Sequence, residues 1–348
     1  MKYIKQFLFV ALFVFPLFAS ARIEANFPGG DPTRPIEPQK DAQGNIHQKS
    51  VIGTHQYSPD IIIRTNNVKL APASGSPGQI TPIITKRNSN VMGQVSKVYL
   101  IWYGNWRGTK SSTIDGQNLI KKLVTGLADT TSSYVNVTTA TSGNSLSPTY
   151  GAYNAMLSSK TLVEYYPPVT KTTLSDSDVQ SLVKQAITKA GNNIPDPNAI
   201  YLVLTSSEIS ESSGFCSKYC GWHTYTSMSY NGITYVKYAF IGNPDKCISA
   251  CAIQTTTSPN TTSSANLIGA DGMASIVAHE MEEIVTDPLL NNWYNSQGYE
   301  NADMCAWTFG ATSGPLANGS YYNVTLGGTN FLLQRALGSN SYCYVAAP

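Results

Sequence analysis

The chain has 348 residues, and 42% of them are hydrophobic, so one large domain or two ordinary ones could bury a substantial core. Only 13% of the residues are charged, about half the usual share, and the formal net charge is +2 without a dense cluster of Lys and Arg. This composition favours an extracellular protein and argues against partners such as nucleic acid or an anionic membrane.

Residues 1–21 are predicted to be a signal peptide. Two lysines and a short apolar run precede the small residues Ala19-Ser20-Ala21, which are typical of a cleavage site. The run is short for a membrane span and is interrupted by Pro16. We therefore expect a secreted protein that is not an integral membrane protein.

The next segment, residues 22–94, is rich in Pro, Gly, Ser and Asn and lacks sustained periodicity. It is predicted to be a loosely ordered leader or pro-segment.

From residue 95 to 348, strand patterns alternate with helix patterns, which predicts a single α/β domain. Buried strands are predicted at 98–103, near 161–165, at "AIYLVLTS" and at "TYVKYAFIG". Ser175 and Asp178 form a capping pattern before a helix that Gly191 should end, and Gly327-Gly328 should turn a hairpin. Another helix is predicted from apolar residues at helical spacing, namely Leu119, Ile120, Leu123, Val124 and Leu127.

Six cysteines follow the predicted signal peptide, and in an exported chain they predict up to three disulfides. Sequence spacing leaves their connectivity open. Two C-x-x-x-C pairs could instead form a four-thiolate zinc site, which an oxidising compartment disfavours. The six are Cys216, Cys220, Cys247, Cys251, Cys305 and Cys343.

The stretch "IVAHEMEEIVTDPLL" at 276–290 differs by one letter from the His-Glu-x-x-His signature of zinc peptidases. On a helix, His279 and Glu283 lie one turn apart on the same side and can ligate one metal ion. Glu280 lies beside them, where a metallohydrolase has its general base. Asp271 is predicted to cap this helix, which should end near Asp287. The alternative is an amphipathic helix with a core-facing arc, comprising Met273, Val277, Met281 and Ile284.

A metal ion would need further ligands from outside that helix. Glu300 and Asp303 follow at workable spacing, and either one could be the third ligand while the other braces a histidine. We expect a divalent cation, with zinc first, although an anionic Glu283 ligand also suits a harder ion or a structural role.

Two residues outside this region could line a cleft. His223 could complete a metal shell or stabilise an oxyanion, but packing among aromatic neighbours is the favoured interpretation. Glu208 follows a predicted strand where α/β clefts open, although a solvated loop carboxylate is favoured there.

Several blocks resemble the EXORDIUM/phosphate-induced protein family over about residues 95 to 346. They include "VYLIWYGNW", "YLVLTSSEI", "FCSKYCGWHTY", "AFIGNPDKCISACA", "GADGMASIVAHEMEEIVTDPLLNNWY" and "ADMC". The resemblance implies a secreted cell-wall or apoplastic protein linked to growth. It also maps the family's His-Glu-x-x-Glu frame onto His279, Glu280 and Glu283. Met281-Glu282 departs from the family's usual Leu-Ala type pair.

The predicted domain is therefore α/β (α+β) and zincin-like, with a mixed sheet and an active-site helix. The first functional hypothesis is a metal-dependent hydrolase acting on peptides, with Glu280 as base. The alternative is a non-catalytic extracellular or cell-wall protein involved in growth or cell-expansion signalling. Its partner would be an extracellular peptide or a cell-wall component.

Overall fold

The computed structural model describes residues 39–40, 46–48, 84–86, 92, 95–106, 111–127, 162–291, 294–295, 299–337 and 343–345. The predicted signal peptide and most of the predicted leader lie outside these residues.

Seven strands form the main sheet: β1 (Gln39–Lys40), β2 (Ile46–Gln48), β4 (Lys97–Tyr103), β5 (Leu162–Tyr165), β7 (Ala199–Thr205), β9 (Gly221–Ser229) and β10 (Ile233–Gly242). Their order across the sheet is β1-β2-β9-β10-β7-β4-β5. Strands β5, β4, β7 and β10 are parallel to one another, whereas β9 runs antiparallel to β10.

Four two-stranded pairs accompany this sheet: β3 with β11, β6 with β8, β12 with β13, and β14 with β15. Their bounds are β3 (Ile84–Lys86), β6 (Thr173–Leu174), β8 (Ser210–Glu211), β11 (Tyr294–Asn295), β12 (Val324–Leu326), β13 (Thr329–Phe331), β14 (Ala336–Leu337) and β15 (Cys343–Tyr344). The β12–β13 hairpin turns at Gly327-Gly328, as predicted.

Helices cover both faces of the sheet. The α-helices are α1 (Ser111–Leu127), α2 (Asp176–Ala190), α3 (Ile248–Cys251) and α4 (Ile268–Thr286), and two 3-10 turns span Pro244–Lys246 and Asp303–Cys305. Side chains alternate along β4, so Leu100 and Trp102 pack with α1 and α4 on one face while Tyr99 and Ile101 pack with α2 on the other.

The local signals for α2 are confirmed. The Ser175 side chain accepts a hydrogen bond from the backbone N–H of Asp178, the Asp178 side chain accepts one from the backbone N–H of Ser175, and Gly191 follows the helix end. The five apolar residues predicted to face the core from α1 are all buried. Periodicity and capping therefore located these elements.

The prediction that Asp271 caps α4 is wrong, because the helix begins at Ile268 and Asp271 lies in its first turn. The Asp271 carboxylate instead accepts hydrogen bonds from the backbone and side-chain N–H groups of Asn260. The buried Asp271 carboxylate therefore joins the first turn of α4 to a neighbouring loop and does not bind the helix's own N–H groups.

Helix α4 is also not amphipathic, because all 19 of its residues are buried. It packs against β9 and β10 on one side and against α1 and β13 on its other sides. Its charged residues are therefore inside the protein.

Three disulfides confirm the expectation from cysteine content, and they exclude a four-thiolate zinc site. They join Cys216 to Cys247, Cys220 to Cys251, and Cys305 to Cys343. Within the described residues, no helix combines the length and the apolar character needed to cross a bilayer. The mixed α/β fold is confirmed, and the zincin-like part of that prediction stays a prediction.

Candidate metal centre

Three parts of the chain bring six ionisable side chains together beneath the sheet. Helix α4 contributes His279, Glu280 and Glu283, and strand β9 contributes His223. The remaining two, Glu300 and Asp303, come from the segment that ends in the second 3-10 turn. We call these six residues the His/Glu/Asp cluster.

The absence of a side chain at Gly221 lets α4 approach β9. A Cβ atom built there would lie 2.6 Å from Ile276 Cγ2 and 2.9 Å from Glu280 Oε1. His223 is two residues further along the strand, so it faces the same side of the sheet. This close approach brings the imidazole of His223 to the carboxylates of α4.

The first group of candidate ligands consists of His279, Glu283 and Asp303. The Nε2 atom of His279 lies 3.0 Å from Glu283 Oε1 and 3.5 Å from Asp303 Oδ1. Bonds of about 2.0–2.2 Å to a common metal place neighbouring ligand atoms roughly 3–3.5 Å apart. The spacing of this group therefore suits ligands around one cation.

The second group consists of His223, Glu280 and Glu283. The Nδ1 atom of His223 lies 3.4 Å from Glu280 Oε2 and 3.4 Å from Glu283 Oε2. On the other side of the ring, Nε2 lies 3.5 Å from Glu300 Oε1. Glu283 thus belongs to both groups and offers a different oxygen to each.

The cluster is almost fully excluded from solvent. The Glu280, Glu283 and Glu300 side chains are 0% exposed, those of His223 and His279 are 1% exposed, and that of Asp303 is 4% exposed. Neither ring nitrogen of either histidine, and neither carboxylate oxygen of Glu300, makes a directed hydrogen bond. These atoms are therefore close to one another without being satisfied as hydrogen-bonding pairs.

The segment from Glu300 to Cys305 is fixed to α4 by main-chain contacts. The N–H of Asp303 donates to Glu283 Oε1 at 3.1 Å, and the N–H of Glu300 donates to Asp303 Oδ2 at 3.3 Å. The disulfide from Cys305 to Cys343 then joins this segment to the C-terminal strand β15. The Asp303 carboxylate is consequently held by the backbone of its own segment, and that segment is bound to Glu283 of α4.

The charges of the cluster hold protons on its histidines. Burial alone would lower the pKa of His223, but the Glu280 and Glu283 carboxylates, each 3.4 Å from Nδ1, outweigh burial and raise that pKa to about 10. Burial is likewise outweighed at His279, where Glu283 and Asp303 raise the pKa well above its ordinary value. In the metal-free protein, the surrounding carboxylates therefore favour the imidazolium form of both rings.

The pKa values of the carboxyl groups in the cluster shift in opposite directions. Burial raises the pKa of Glu280 to about 7 and that of Asp303 to about 6. Burial, together with repulsion from Glu283 and other carboxylates, also raises the pKa of Glu300 well above its ordinary value. Glu283 is the exception: attraction to His279 and His223 outweighs its burial and lowers its pKa. Glu283 is thus the anionic centre of the cluster.

The sequence profile described as "Phosphate-induced protein 1 conserved region" matches residues 84–342, which is most of the chain. This chain belongs to the phosphate-induced protein 1 family. The match includes every member of the cluster.

Two Arabidopsis thaliana relatives support that membership. This family member is 27% identical to "Protein EXORDIUM-like 3" over 259 residues, covering 67% of this chain and 71% of the relative. It is 28% identical to "Protein EXORDIUM-like 5" over 232 residues, covering 62% of each chain. No solved structure matches it.

Within this family member, the motif residues and both acidic candidates from the sequence lie in the cluster. Asp303 groups with His279 and Glu283, whereas Glu300 lies against the second nitrogen of His223. Glu208 lies elsewhere, since its carboxylate accepts hydrogen bonds from the N–H of Asn105 and from the Ser206 hydroxyl.

The ring nitrogens of His223 face Glu280, Glu283 and Glu300 within 3.5 Å, whereas the favoured interpretation of the sequence was packing among aromatic neighbours. Its neighbour Trp222 points to the opposite face, where it packs with Tyr238 and Phe240. Strand alternation from Trp222 would have separated the two side chains, but the partners of His223 depend on where α4 crosses the sheet.

Proposed function

We propose that this phosphate-induced protein 1 family member is a non-catalytic extracellular protein built around a buried divalent cation. The cation would be held by His279, Glu283 and Asp303, and it would stabilise the domain rather than turn over a substrate. The protein would act outside the cell, in growth or cell expansion, through an extracellular peptide or a cell-wall component. Its disulfides and the resemblance of its motif blocks to secreted proteins support that location.

Burial of the cluster is the observation that carries this proposal. A catalytic metal keeps a coordination position open to substrate and water, whereas a structural metal is closed off by protein. Every side chain of the cluster is at most 4% exposed. A peptide bond cannot reach such a site without a rearrangement of the segments around it.

The candidate ligand atoms, an imidazole nitrogen and carboxylate oxygens, are of the types that bind divalent cations. Imidazole nitrogen suits zinc, and carboxylate oxygen suits zinc as well as harder ions such as manganese and calcium. The ring nitrogens of His279 lack directed hydrogen bonds, although Glu283 and Asp303 lie within 3.5 Å. A cation between His279 Nε2, Glu283 Oε1 and Asp303 Oδ1 would bind all three atoms at once.

A second candidate function is a metal-dependent hydrolase acting on peptides. Glu280 favours it, because this residue follows the candidate ligand His279 and its pKa of about 7 suits a general base at neutral pH. That activity would require a conformation in which the cluster is open.

The first experiment measures metal content by mass spectrometry on secreted, tag-free protein. We expect metal in the wild type, a lower metal content in His279→Ala and no metal in Glu283→Ala. The Glu164→Gln variant, which changes a carboxylate outside the cluster, should retain it. We also expect metal removal to lower the melting temperature of the wild type. A metal-free wild type after reconstitution, or an unchanged melting temperature, would contradict a structural cation.

The two functions are separated by a peptide-cleavage screen of the metal-loaded wild type beside Glu280→Gln. No cleavage by either protein supports the non-catalytic function. Cleavage by the wild type alone, with Glu280→Gln folded and still metal-bound, would establish the hydrolase and overturn the non-catalytic proposal.

A further inference from the structure

We propose that the cluster is a binuclear metal centre in which Glu283 bridges two divalent cations. The first cation is the one already proposed at His279, Glu283 and Asp303, and this inference rests on it. The second would be bound by His223, Glu280 and Glu283. Glu280 would then be a metal ligand rather than a free base.

The orientation of the Glu283 carboxylate is the main geometric support. Its Oε1 atom faces His279 at 3.0 Å, while its Oε2 atom faces His223 at 3.4 Å. A carboxylate that offers one oxygen to each of two histidines has the geometry of a bridging ligand. Metals in two-metal sites lie about 3.5–4 Å apart, which is a separation that one carboxylate can span.

His223 has the surroundings of a ligand with a bracing partner. Its Nδ1 atom faces two carboxylates at 3.4 Å, and its Nε2 atom faces Glu300 at 3.5 Å. A metal-bound histidine commonly donates its other N–H to a carboxylate, which fixes the tautomer and the orientation of the ring. Glu300 would fill that positioning role for the second cation.

Unsatisfied atoms point to a ligand at this second position. His223 is 1% exposed and Glu300 is 0% exposed, yet neither ring nitrogen and neither carboxylate oxygen makes a directed hydrogen bond. Buried polar atoms in native proteins nearly always have a partner. A cation beside Nδ1 would supply it for His223 and would leave the Nε2 proton for Glu300.

The test is metal stoichiometry on chelator-treated full-length secreted protein reloaded separately with Zn²⁺ and with Mn²⁺. We expect about two ions per chain in the wild type and in Glu164→Gln, about one in His223→Ala and in His279→Ala, and none in Glu283→Ala. One ion per chain that His223→Ala retains and His279→Ala loses would overturn the second site while leaving the proposed function intact. No ion in the wild type would overturn both.

A spectroscopic measurement on the wild type keeps the proposal testable if His223→Ala fails to fold. Two Mn²⁺ ions bridged by one carboxylate are magnetically coupled, so the electron paramagnetic resonance spectrum should change between the first and second equivalents. Two uncoupled Mn²⁺ signals, or saturation at one equivalent, would overturn the bridged centre.

Discussion

Protons would compete with the proposed metal ions for the same buried atoms, so we expect stability to depend on pH. In the metal-free protein, burial raises the pKa of Glu280 from 4.5 to about 7 and that of Asp303 from 3.8 to about 6. The pKa of His223 rises from 6.5 to about 10, mainly through Glu280 and Glu283, which outweigh its burial. At each of these three residues the folded state binds the proton more tightly than the unfolded chain does.

The sign of the effect follows from linkage. A group whose pKa is raised by folding stabilises the fold below its unfolded pKa and loses that contribution as pH rises through its folded pKa. We therefore expect the melting temperature of metal-free protein to fall between about pH 5 and pH 10, first through the carboxyl groups and then through His223. The lowered pKa of Glu283 acts in the opposite direction, but only below its ordinary value of 4.5.

Metal should reverse this dependence, because a cation takes the place of the protons and binds more tightly as they leave. Melting temperatures with chelator and with Zn²⁺ should consequently diverge as pH rises. Without metal, Glu280→Gln should show a shallower fall than the wild type between pH 5 and 7. A metal-free melting temperature that stays level or rises between pH 5 and 9 would show that these residues are not coupled in this way.

At the level of elements, the contact between α4 and β9 should control metal binding. A Cβ atom at position 221 would lie within 3.0 Å of Ile276 Cγ2 and Glu280 Oε1, so Gly221→Ala must displace these side chains of α4, the helix itself or the strand. We expect a loss of about 1–3 kcal/mol in stability from overpacking. Metal affinity should fall by about tenfold or more, since the histidine on β9 would move away from the carboxylates on α4.

Ser175→Ala is the matched control for that substitution. It removes the cap of α2, which packs on the opposite face of the sheet, and should cost about 1 kcal/mol without touching the cluster. Isothermal titration with Zn²⁺ and thermal melts on both variants make the comparison. Equal loss of affinity in the two variants would mean that metal binding follows overall stability and not the approach of α4 to β9.

The elements of this domain were predictable where the signal is local. Capping residues marked α2, apolar runs marked the central strands, and paired glycines marked the C-terminal hairpin. Helix α4 was harder, because its burial on all sides depends on neighbours that are distant in sequence. The predicted start of α4 was also wrong, because Asp271 bonds to Asn260 and does not cap the helix.

The residues of the candidate site were likewise predictable only where the signal is local. The helical spacing of His279 and Glu283 predicted that pair. Glu300 and Asp303 were predicted because they are acidic and follow the helix at a workable distance. The meeting of His223 with Glu280 could not be derived, because it depends on where α4 crosses β9. That crossing is set by packing at Gly221, which has no recognisable pattern in a single sequence.

At the scale of the whole molecule, the disulfides divide into two sets. The bridges from Cys216 to Cys247 and from Cys220 to Cys251 join the segment before β9 to the segment after β10. The bridge from Cys305 to Cys343 joins the segment of Asp303 to the last described strand. Only this last bridge includes a residue within the 3-10 turn that supplies a candidate ligand.

Removing the Cys305–Cys343 bridge by changing both residues to Ser should therefore affect stability and metal binding together. The chain-entropy model assigns roughly 2–4 kcal/mol to a bridge that closes a loop of this size. In addition, the freed segment would have to be ordered when Asp303 binds the proposed cation, so we expect metal affinity to fall. Excess Zn²⁺ should restore part of the lost stability, by about 2.7 kcal/mol at a hundredfold excess over the dissociation constant.

The Cys216–Cys247 bridge provides the comparison, because it spans 31 residues against 38 and lies outside the segment of Asp303. Its double Ser variant should lose similar stability and keep the wild-type metal affinity. Calorimetric titration with Zn²⁺ distinguishes the two variants. If both lose metal affinity to the same extent, the bridges act through the unfolded chain and the global fold. If only the Cys305–Cys343 variant does, that bridge holds a ligand-bearing segment against α4, and the buried centre depends on the C-terminal strand.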